Sequence, residues 1–534
     1  MTNVLLAAGF IIAACIICDK LTEKIGIPTL LVFIGLGMLF GEDGIFKIPF
    51  ENYRFAENIC SAALIFIMFY GGFGTKWSEA KPVAAKAMCL SSIGVMITSA
   101  LTALFCHFVL RMDLWGSVLI GAVLGSTDAA SVFSILKSNK LSLKYNTDSL
   151  LEIESGSNDP FAYMMTTLAL TAIQSGSLSA GTAAVMIAKN LIFGLIGGFG
   201  IAFLAVKFMK NFKFQADGFD SAFMMAVAII SYALPVYFGG NGYLSAYIVG
   251  IVLGNANLPN KKTLVHFFDG ITGLVQMVIF FLLGLLATPS YLPQVFLLSI
   301  AVFAFMLLIA RPAAVTAVLA PFRAKFSQIA LVSWAGLRGA SSIVFAIIVI
   351  IQNPNSEVFN IVFCVVLMSV AIQGMLLPKA AKKLKMIDER GNVFKTFSDY
   401  SDDEDIQFIQ LEINSEHPWV GKQIKDLNII SNMLLVLIIR GDEHIIPKGD
   451  TAVAENDIIV FCALSYNGEE KISLSEETIS KQHKWNNKYV SELDLKKDTL
   501  LIMIKRNEET IIPNGATLIE EGDRVVVGFP ERVK

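Results

Sequence analysis

Charge is scarce in this sequence. Of its 534 residues, 16% are Asp, Glu, Lys or Arg, where soluble domains carry about a quarter. The shortage is confined to residues 1–378; residues 379–534 have an ordinary soluble composition. The net charge of −3 offers no basic surplus to hold a nucleic acid. Seven cysteines are present. Cys15 and Cys18 form a C-x-x-C, but inside an apolar segment with no second pair and no nearby histidine, so packing is favoured over metal or redox use. No G-x-G-x-x-G follows a strand, so no Rossmann site for NAD and no other cofactor is expected. A T-V-G-Y-G-like filter is missing, which weighs against a potassium channel. An aspartyl intramembrane protease would need a second aspartate in a G-x-G-D context. "GEDG" at 41–44 lies in a loop, and only His107 and His266 fall near the membrane as bases for a serine protease. The chain is therefore read as no enzyme.

What the sequence has in abundance is long apolar runs: 54% of residues are hydrophobic. A membrane helix needs roughly 20 such residues, and thirteen segments qualify, at 3–18, 28–40, 57–73, 83–110, 115–136, 149–174, 182–206, 221–238, 241–258, 264–288, 292–320, 327–351 and 357–378. The first lacks a basic leader and a small-residue cleavage site, so it is taken as a helix and not a removed signal. Cytoplasmic loops are rich in Lys and Arg. With the tail cytoplasmic and the N-terminus outside, the inside loops hold fourteen Lys or Arg, among them Lys76, Lys81, Lys137, Lys140, Lys144, Lys213, Lys261 and Lys262, and the outside loops hold Lys47, Arg54 and Arg111. The expected location is the cell inner membrane.

Ionisable groups inside a bilayer are costly and mark function by default. Asp128, Glu154, Asp159, Arg311 and Arg338 are such groups; ion pairs that merely orient helices are the alternative. In "LLEIESGSNDPFAYMM", Ser155 and Asp159 share one helical stripe and Glu154 and Asn158 the next. Pro160 predicts a loosened backbone at Gly156, four residues back. A carboxylate, a hydroxyl and a freed carbonyl would suit a small hard cation. In "LIGAVLGSTDAASVF" and "LVSWAGLRGASSIVF", glycines with a charge interrupt the fifth and twelfth segments. Paired interruptions of this kind point to a transport site built from broken helices. Asp128 is suited to neutralise helix N-termini meeting there, and Arg338 helix C-termini; glycines that serve only close helix packing are the competing reading.

"GSTDAASV", "ESGSNDP", "ARP" and "GLRGAS", in this order and spacing, resemble the NhaP/NHE-type cation–proton antiporters, and among them bacterial NhaP2-like potassium/proton antiporters. The resemblance covers most of residues 1–380. It implies an all-α polytopic membrane fold of about 13 transmembrane helices, with inverted repeats and two broken crossing helices, in a homodimer that works by elevator-type alternating access. It implies that Asp159, beside Asn158, binds either a proton or the monovalent cation, with Ser155, Thr127 and Glu154 at the cation site, Arg311 paired to Glu154, and Asp128 and Arg338 at the crossing. The cation itself would sit at Asp159, Ser155 and Thr127. A proline often follows the fifth-segment aspartate in such proteins; here Ala129 does. Asn–Asp supplies one titrating group where Asp–Asp would supply two, and the resemblance then implies electroneutral exchange. K+ and Na+ use the same oxygen ligands, so the choice between them is open at this point.

The tail is an internal repeat. Residues 434–461 align with 500–527 without gaps, 13 of 28 positions identical at an offset of 66. Each copy predicts strand, helix, strand, turn, strand, with turn chemistry in "PKGD" and "PNGA". The copies resemble the C-terminal (TrkA-C-like) subdomain of RCK regulators of potassium transport, which tilts the cation towards K+. The expected division is 1–378 membrane domain, 379–405 linker with "SDDED" at 401–405, 406–468 first subdomain and 469–534 second, the last two an α+β cytoplasmic tail. Some such subdomains bind cyclic di-AMP; a dimerisation and gating module is the favoured reading here.

Overall fold

The computed structural model describes residues 2–25, 28–48, 50, 52–139, 141–176, 179–212, 218–258, 260–354 and 356–388, then residues 406–530 apart from 416, 428, 430–432, 442, 465–471, 494, 496–499, 507–508 and 512. The acidic stretch 401–405, most of the linker, Lys140 and Lys213 lie outside them. The chain divides into two compact units, residues 1–400 and 401–534.

The first unit is helical among the described residues: α1 Thr2–Ile25, α2 Thr29–Phe40, α3 Tyr53–Gly74, α4 Ala84–Val109, α5 Leu114–Val123, α6 Ala129–Ser138, α7 Thr147–Ser175, α8 Ala180–Asn211, α9 Phe219–Tyr237, α10 Gly242–Asn255, α11 Lys261–Leu286, α12 Leu292–Leu319, α13 Phe326–Trp334, α14 Ala340–Gln352 and α15 Val358–Lys383. Each predicted apolar segment falls on one helix or, for the fifth and twelfth, on two. Among the described residues, seven helices are long and apolar enough to cross a membrane (α3, α4, α8, α9, α11, α12, α15), and shorter apolar helices lie in α1, α2, α5, α10 and α14. Starts follow local chemistry: Asn52, Asp113, Ser179 and Asn241 each accept a backbone N–H of their helix's first turn.

Among the described residues at least three helix pairs pack backbone to backbone, α4–α5 through Gly121 against Ser99 O, α3–α10 and α2–α11. A Cβ at Gly72, Gly250 or Gly254 would overlap main-chain atoms across the α3–α10 contact, and one at Gly37 or Gly284 would do so between α2 and α11. Such pairs replace the hydrophobic driving force, which is absent between helices in lipid, with close van der Waals contact. Outward apolar side chains such as Ile196, Phe203 and Leu297 stay exposed, as a lipid-facing surface requires. α4, α12 and α15 contain π turns at Leu90–Gly94 and Phe105–Val109, Met306–Ala310, and Ser369–Gly374.

One expectation fails here. α7 runs unbroken through Pro160. Almost every residue from Thr147 to Pro160 is buried, so packing on all sides holds the helix where proline removes a single hydrogen bond. Gly156 serves another need: the ring of Tyr247 occupies the place of its missing Cβ.

The second unit holds two like sheets. β1 Ile406–Glu412, β2 Met433–Arg440, β3 Glu443–Ile445 and β4 Ile458–Leu464 form one in the order β1-β4-β2-β3. β5 Ile472–Thr478, β7 Leu500–Arg506, β8 Glu509–Ile511 and β10 Arg524–Pro530 form the other as β5-β10-β7-β8. β6 Lys488–Tyr489 pairs with β9 Leu518–Ile519. All pairings are antiparallel. The predicted helix of each copy is, among the described residues, one 3₁₀ turn, Ile424–Asp426 or Val490–Glu492. Leu427 and Leu493, directly after these turns, pack into the two small cores beside Ile438 and Ile504, so the chain turns inward before a longer helix can form.

Candidate functional site

The two interruptions cross. Between α5 and α6 the chain leaves helical geometry at Leu124–Asp128, and between α13 and α14 at Ala335–Gly339. The extended pieces meet through the Asp128 N–H, which donates to Leu337 O at 2.8 Å. Asp128 caps α6, accepting from Ser131 N–H at 3.2 Å and Ser131 Oγ at 2.5 Å. Its carboxylate also fills the space where Gly339, at the start of α14, would carry a Cβ. One carboxylate thus serves two helix N-termini, where aligned peptide dipoles favour negative charge. Arg338 is buried and donates from Nη1 to Ser126 O at 2.6 Å, three residues beyond the end of α5. Its own N–H donates to Ser369 Oγ (2.9 Å), which donates to Gln373 Oε1 (2.6 Å). Both of those residues belong to the π turn of α15, and π turns recur at functional sites.

Asp159 sits against this crossing, 3% exposed. Ser126 Oγ donates to its Oδ1 at 2.5 Å and lies 2.6 Å from Ser341 Oγ. Asn158 Nδ2 donates to Thr127 Oγ1 (2.5 Å), and Thr127 N–H to Asn158 Oδ1 (3.3 Å). Ser155 Oγ donates to Thr127 O at 2.7 Å. Glu154 turns to the neighbouring stripe, where Arg311 Nη2 lies 2.6 Å from its Oε1 and 2.8 Å from its Oε2. Arg311 directly follows the π turn of α12, and a Cβ at Gly336 would stand 2.8 Å from its Nε.

The structure thus gathers all eight sequence-predicted residues around one crossing: Asp159, Ser155, Thr127 and Asp128 on its cavity side, Asn158 bonded to Thr127 beside them, Glu154 with Arg311 behind, and Arg338 through the middle. Sequence reasoning missed Ser126, Ser341, Glu152, Thr75 and Tyr247. The two serines lay in stretches already singled out, "GSTD" and "GASS"; serine–aspartate spacing across 33 and 182 positions carries no local signal. Asp159, Ser155, Asp128 and Ser341 line a cavity of about 360 Å³ between α6, α7 and α14 on one side and α3 and α11 on the other. Hydroxyls, carbonyls and the Asp159 carboxylate converge at the crossing. That is a donor set for a hard monovalent cation and, at the carboxylate, for a proton.

Residues 9–383 match the sodium/hydrogen exchanger, transmembrane family, and residues 408–466 and 474–532 each match a TrkA-C domain. The chain belongs to the sodium/hydrogen exchanger family. Its exchanger part is a multi-pass membrane antiporter, followed by two TrkA-C domains. The K(+)/H(+) antiporter NhaP of Alkalimonas amylolytica is 32% identical over 469 residues, covering 86% of this chain and 81% of that protein. The K(+)/H(+) antiporter NhaP2 of Shewanella oneidensis is 32% identical over 480 residues, covering 87% and 81%. The Na(+)/H(+) antiporter ApNhaP of Aphanothece halophytica is 23% identical over 382 residues, covering 69% and 71%. In structure, the exchanger part has the fold of the sodium proton antiporter MjNhaP1 of Methanocaldococcus jannaschii (TM-score 0.62, 22% identity, 70% of this chain and 99% of that one).

Proposed function

We propose that this cation/proton antiporter exchanges K+ for H+, one for one, across the cell inner membrane by elevator-type alternating access, under control of its cytoplasmic tail. The carrying observation is Asp159: a buried carboxylate beside Asn158 at the helix crossing, held by Ser126 Oγ, which in turn lies 2.6 Å from Ser341 Oγ, and lining a cavity. A proton and a bound cation each neutralise a carboxylate, so the two ions compete for one group. One titrating group in the Asn–Asp pair supports electroneutral exchange. The K(+)/H(+) names of relatives at 32% identity support K+; the Na(+)/H(+) name of ApNhaP keeps Na+ as the second reading.

The thirteen-span, inverted-repeat architecture has support in a recurring order. The second and tenth spans, α2 and α11, pack through glycines, as do the third and ninth, α3 and α10. The fourth and eleventh carry π turns, and the fifth and twelfth are broken. Spans two and three thus share glycine packing with spans nine and ten, and spans four and five match eleven and twelve, an offset of seven throughout. With the N-terminus outside and the tail cytoplasmic, the cavity residues Tyr70, Asp148 and Asp269 stand at the helix ends joined to the Lys-rich loops, so the cavity would open inward. The homodimer follows from the family resemblance and is testable by cysteine cross-linking. Cyclic di-AMP is the second reading for the tail, behind a pairing module; absence of heat on titrating residues 401–534 with it would remove it.

The decisive experiment is proton flux in inside-out vesicles, read with a pH dye as K+, Na+, Li+ or Rb+ is added. Potassium should dissipate the gradient in wild type and fail to do so in Asp159→Asn. Response to sodium or lithium alone would replace the substrate. A current that follows turnover would refute electroneutrality.

A further inference from the structure

α7 carries a carboxylate that the site above leaves unused. Glu152 lies seven residues before Asp159, about 10 Å along a helix that rises 1.5 Å per residue. Asp148, Glu152, Gly156 and Asp159 stand at spacings of four, four and three, hence on one face, and all four line the cavity. Glu152 is 5% exposed. Among the described residues it makes no ion pair, and its one hydrogen bond comes from Thr75 Oγ1 at 2.9 Å, a hydroxyl that also contacts Gly71 O at 2.9 Å. A buried carboxylate supported by one neutral hydroxyl is costly unless a cation or proton joins it. This contrasts with Glu154 on the next stripe, which has Arg311.

A second feature points into the same space. Tyr247 of α10 is 3% exposed and lines the cavity, and its hydroxyl makes no hydrogen bond among the described residues. A Cβ at Gly156 would stand 2.7 Å from that hydroxyl oxygen, which places it one helical turn from Glu152, between Glu152 and Asp159. Buried hydroxyls are ordinarily partnered, and an orphaned one on a cavity wall is a ligand in waiting. Resting on the antiport reading above, we propose that Glu152, Thr75 and Tyr247 form a second cation site, which a monovalent cation occupies with partial loss of its water before it reaches Asp159. The carboxylate supplies charge, the two hydroxyls and Gly71 O supply neutral oxygens, and the shared face of α7 leads on to Asp159.

The test is dye-monitored exchange by the full-length protein in inside-out vesicles, with K+ varied. A staging site raises the local supply of cation, so its loss is most damaging at low K+. Glu152→Gln should raise half-saturating K+ about five- to tenfold, with a smaller fall in the maximal rate, and Glu152→Asp should recover part of it. A misfolded protein would lower the maximal rate without that split or that recovery. Thr75→Val and Tyr247→Phe keep the carboxylate and should each raise half-saturation about two- to threefold. They decide the matter if Glu152→Gln does not reach the membrane. Wild-type half-saturation in Glu152→Gln, or in both hydroxyl variants should it not accumulate, overturns the second site. Asp159→Asn, run beside them, separates the two failures: exchange surviving that change would overturn the Asp159 site itself.

Discussion

Both units pair an arginine with a buried carboxylate, and they finish the pair differently. In the tail, Arg440 Nε and Nη2 grip both oxygens of Asp457 at 2.7 and 2.8 Å, Nη2 also donates to Ala452 O, and Ala454 N–H adds a bond to Oδ2. Sixty-six residues on, Arg506, Asp523, Leu518 O and Glu520 N–H repeat the arrangement. In the membrane unit, Arg311 reaches Glu154 through Nη2 alone, 2.6 Å from Oε1 and 2.8 Å from Oε2, and Arg311 Nε is left without a hydrogen bond among the described residues. Fully satisfied polar clusters rigidify a structure, and an unpaired buried polar atom is costly. The tail pairs fit a fixed scaffold, built twice. The membrane pair leaves one buried donor unpartnered.

Replacing buried aspartates by their neutral isostere should separate the two regions most sharply. Asp159→Asn removes the titrating group and should cut cation-driven proton flux about hundredfold or more while the protein still folds. Asp457→Asn should leave Asp159 chemistry in place and instead lower the melting temperature of the isolated tail. A flux loss as large from Asp457→Asn would make the tail part of the transport path and erase the contrast.

Next in size is the membrane pair. Arg311→Ala leaves Glu154 charged and 1% exposed, a change that typically costs about 3–5 kcal/mol. Thermal unfolding in detergent should show it. Arg311→Met with Glu154→Leu should recover much of the loss, because no buried charge is stranded. In the tail, Arg506→Ala strands Asp523 at 1% exposure and should cost about 2–4 kcal/mol by urea unfolding of residues 401–534. A smaller loss for Arg311→Ala than for Arg506→Ala would reverse the comparison.

Acid separates the regions again. Hydrogen bonds from Arg440 hold the Asp457 carboxyl below its ordinary range, against burial. For Asp523, burial pushes up but the Arg506 and Glu520 N–H bonds outweigh it, and the net shift is also down. A carboxyl with a lowered folded value binds fewer protons folded than unfolded. Its stabilisation is therefore complete above the unfolded value near 3.9 and is lost as pH falls through the folded one. The isolated tail should keep its stability from neutrality down to about pH 4 and lose it below. Arg440→Ala should flatten that loss.

How much of this was legible in the sequence depended on distance along the chain. The helix breaks showed because Gly125 and Asp128, or Gly336 and Arg338, are near neighbours, and glycine beside a charge in an apolar run admits few explanations. The tail repeat showed because its offset is constant. Ser126 and Ser341 did not stand out from other small polar residues, since their value comes from Asp159 folding between them. Glu152 was passed over because a carboxylate near a predicted helix start reads as a loop-side group until α3 and α10 close over it. Proline misled for the same reason: its local cost at Gly156 is real, and the burial of α7 overrides it.

The finest contrast lies within the tail, between two copies that share their arginine, aspartate and backbone acceptor. Arg506 Nη1 has one further partner, Glu520 Oε1 at 3.0 Å, and the position 66 residues earlier is Ala454. Glu520 is half-exposed, so water and salt compete for the interaction, and such pairs contribute about 0.2–1 kcal/mol. Glu520→Ala should lower the tail's stability by that amount, and Ala454→Glu should add a like increment to the first copy. Both effects should shrink in 1 M salt, where the screening length is about 3 Å, while the Arg506→Ala loss persists because Asp523 is buried. If instead Glu520→Ala and Arg506→Ala responded alike to salt, the Arg–Asp pair would be a surface interaction too, and the difference drawn between the fully bonded tail pairs and the incompletely bonded membrane pair would lose its basis.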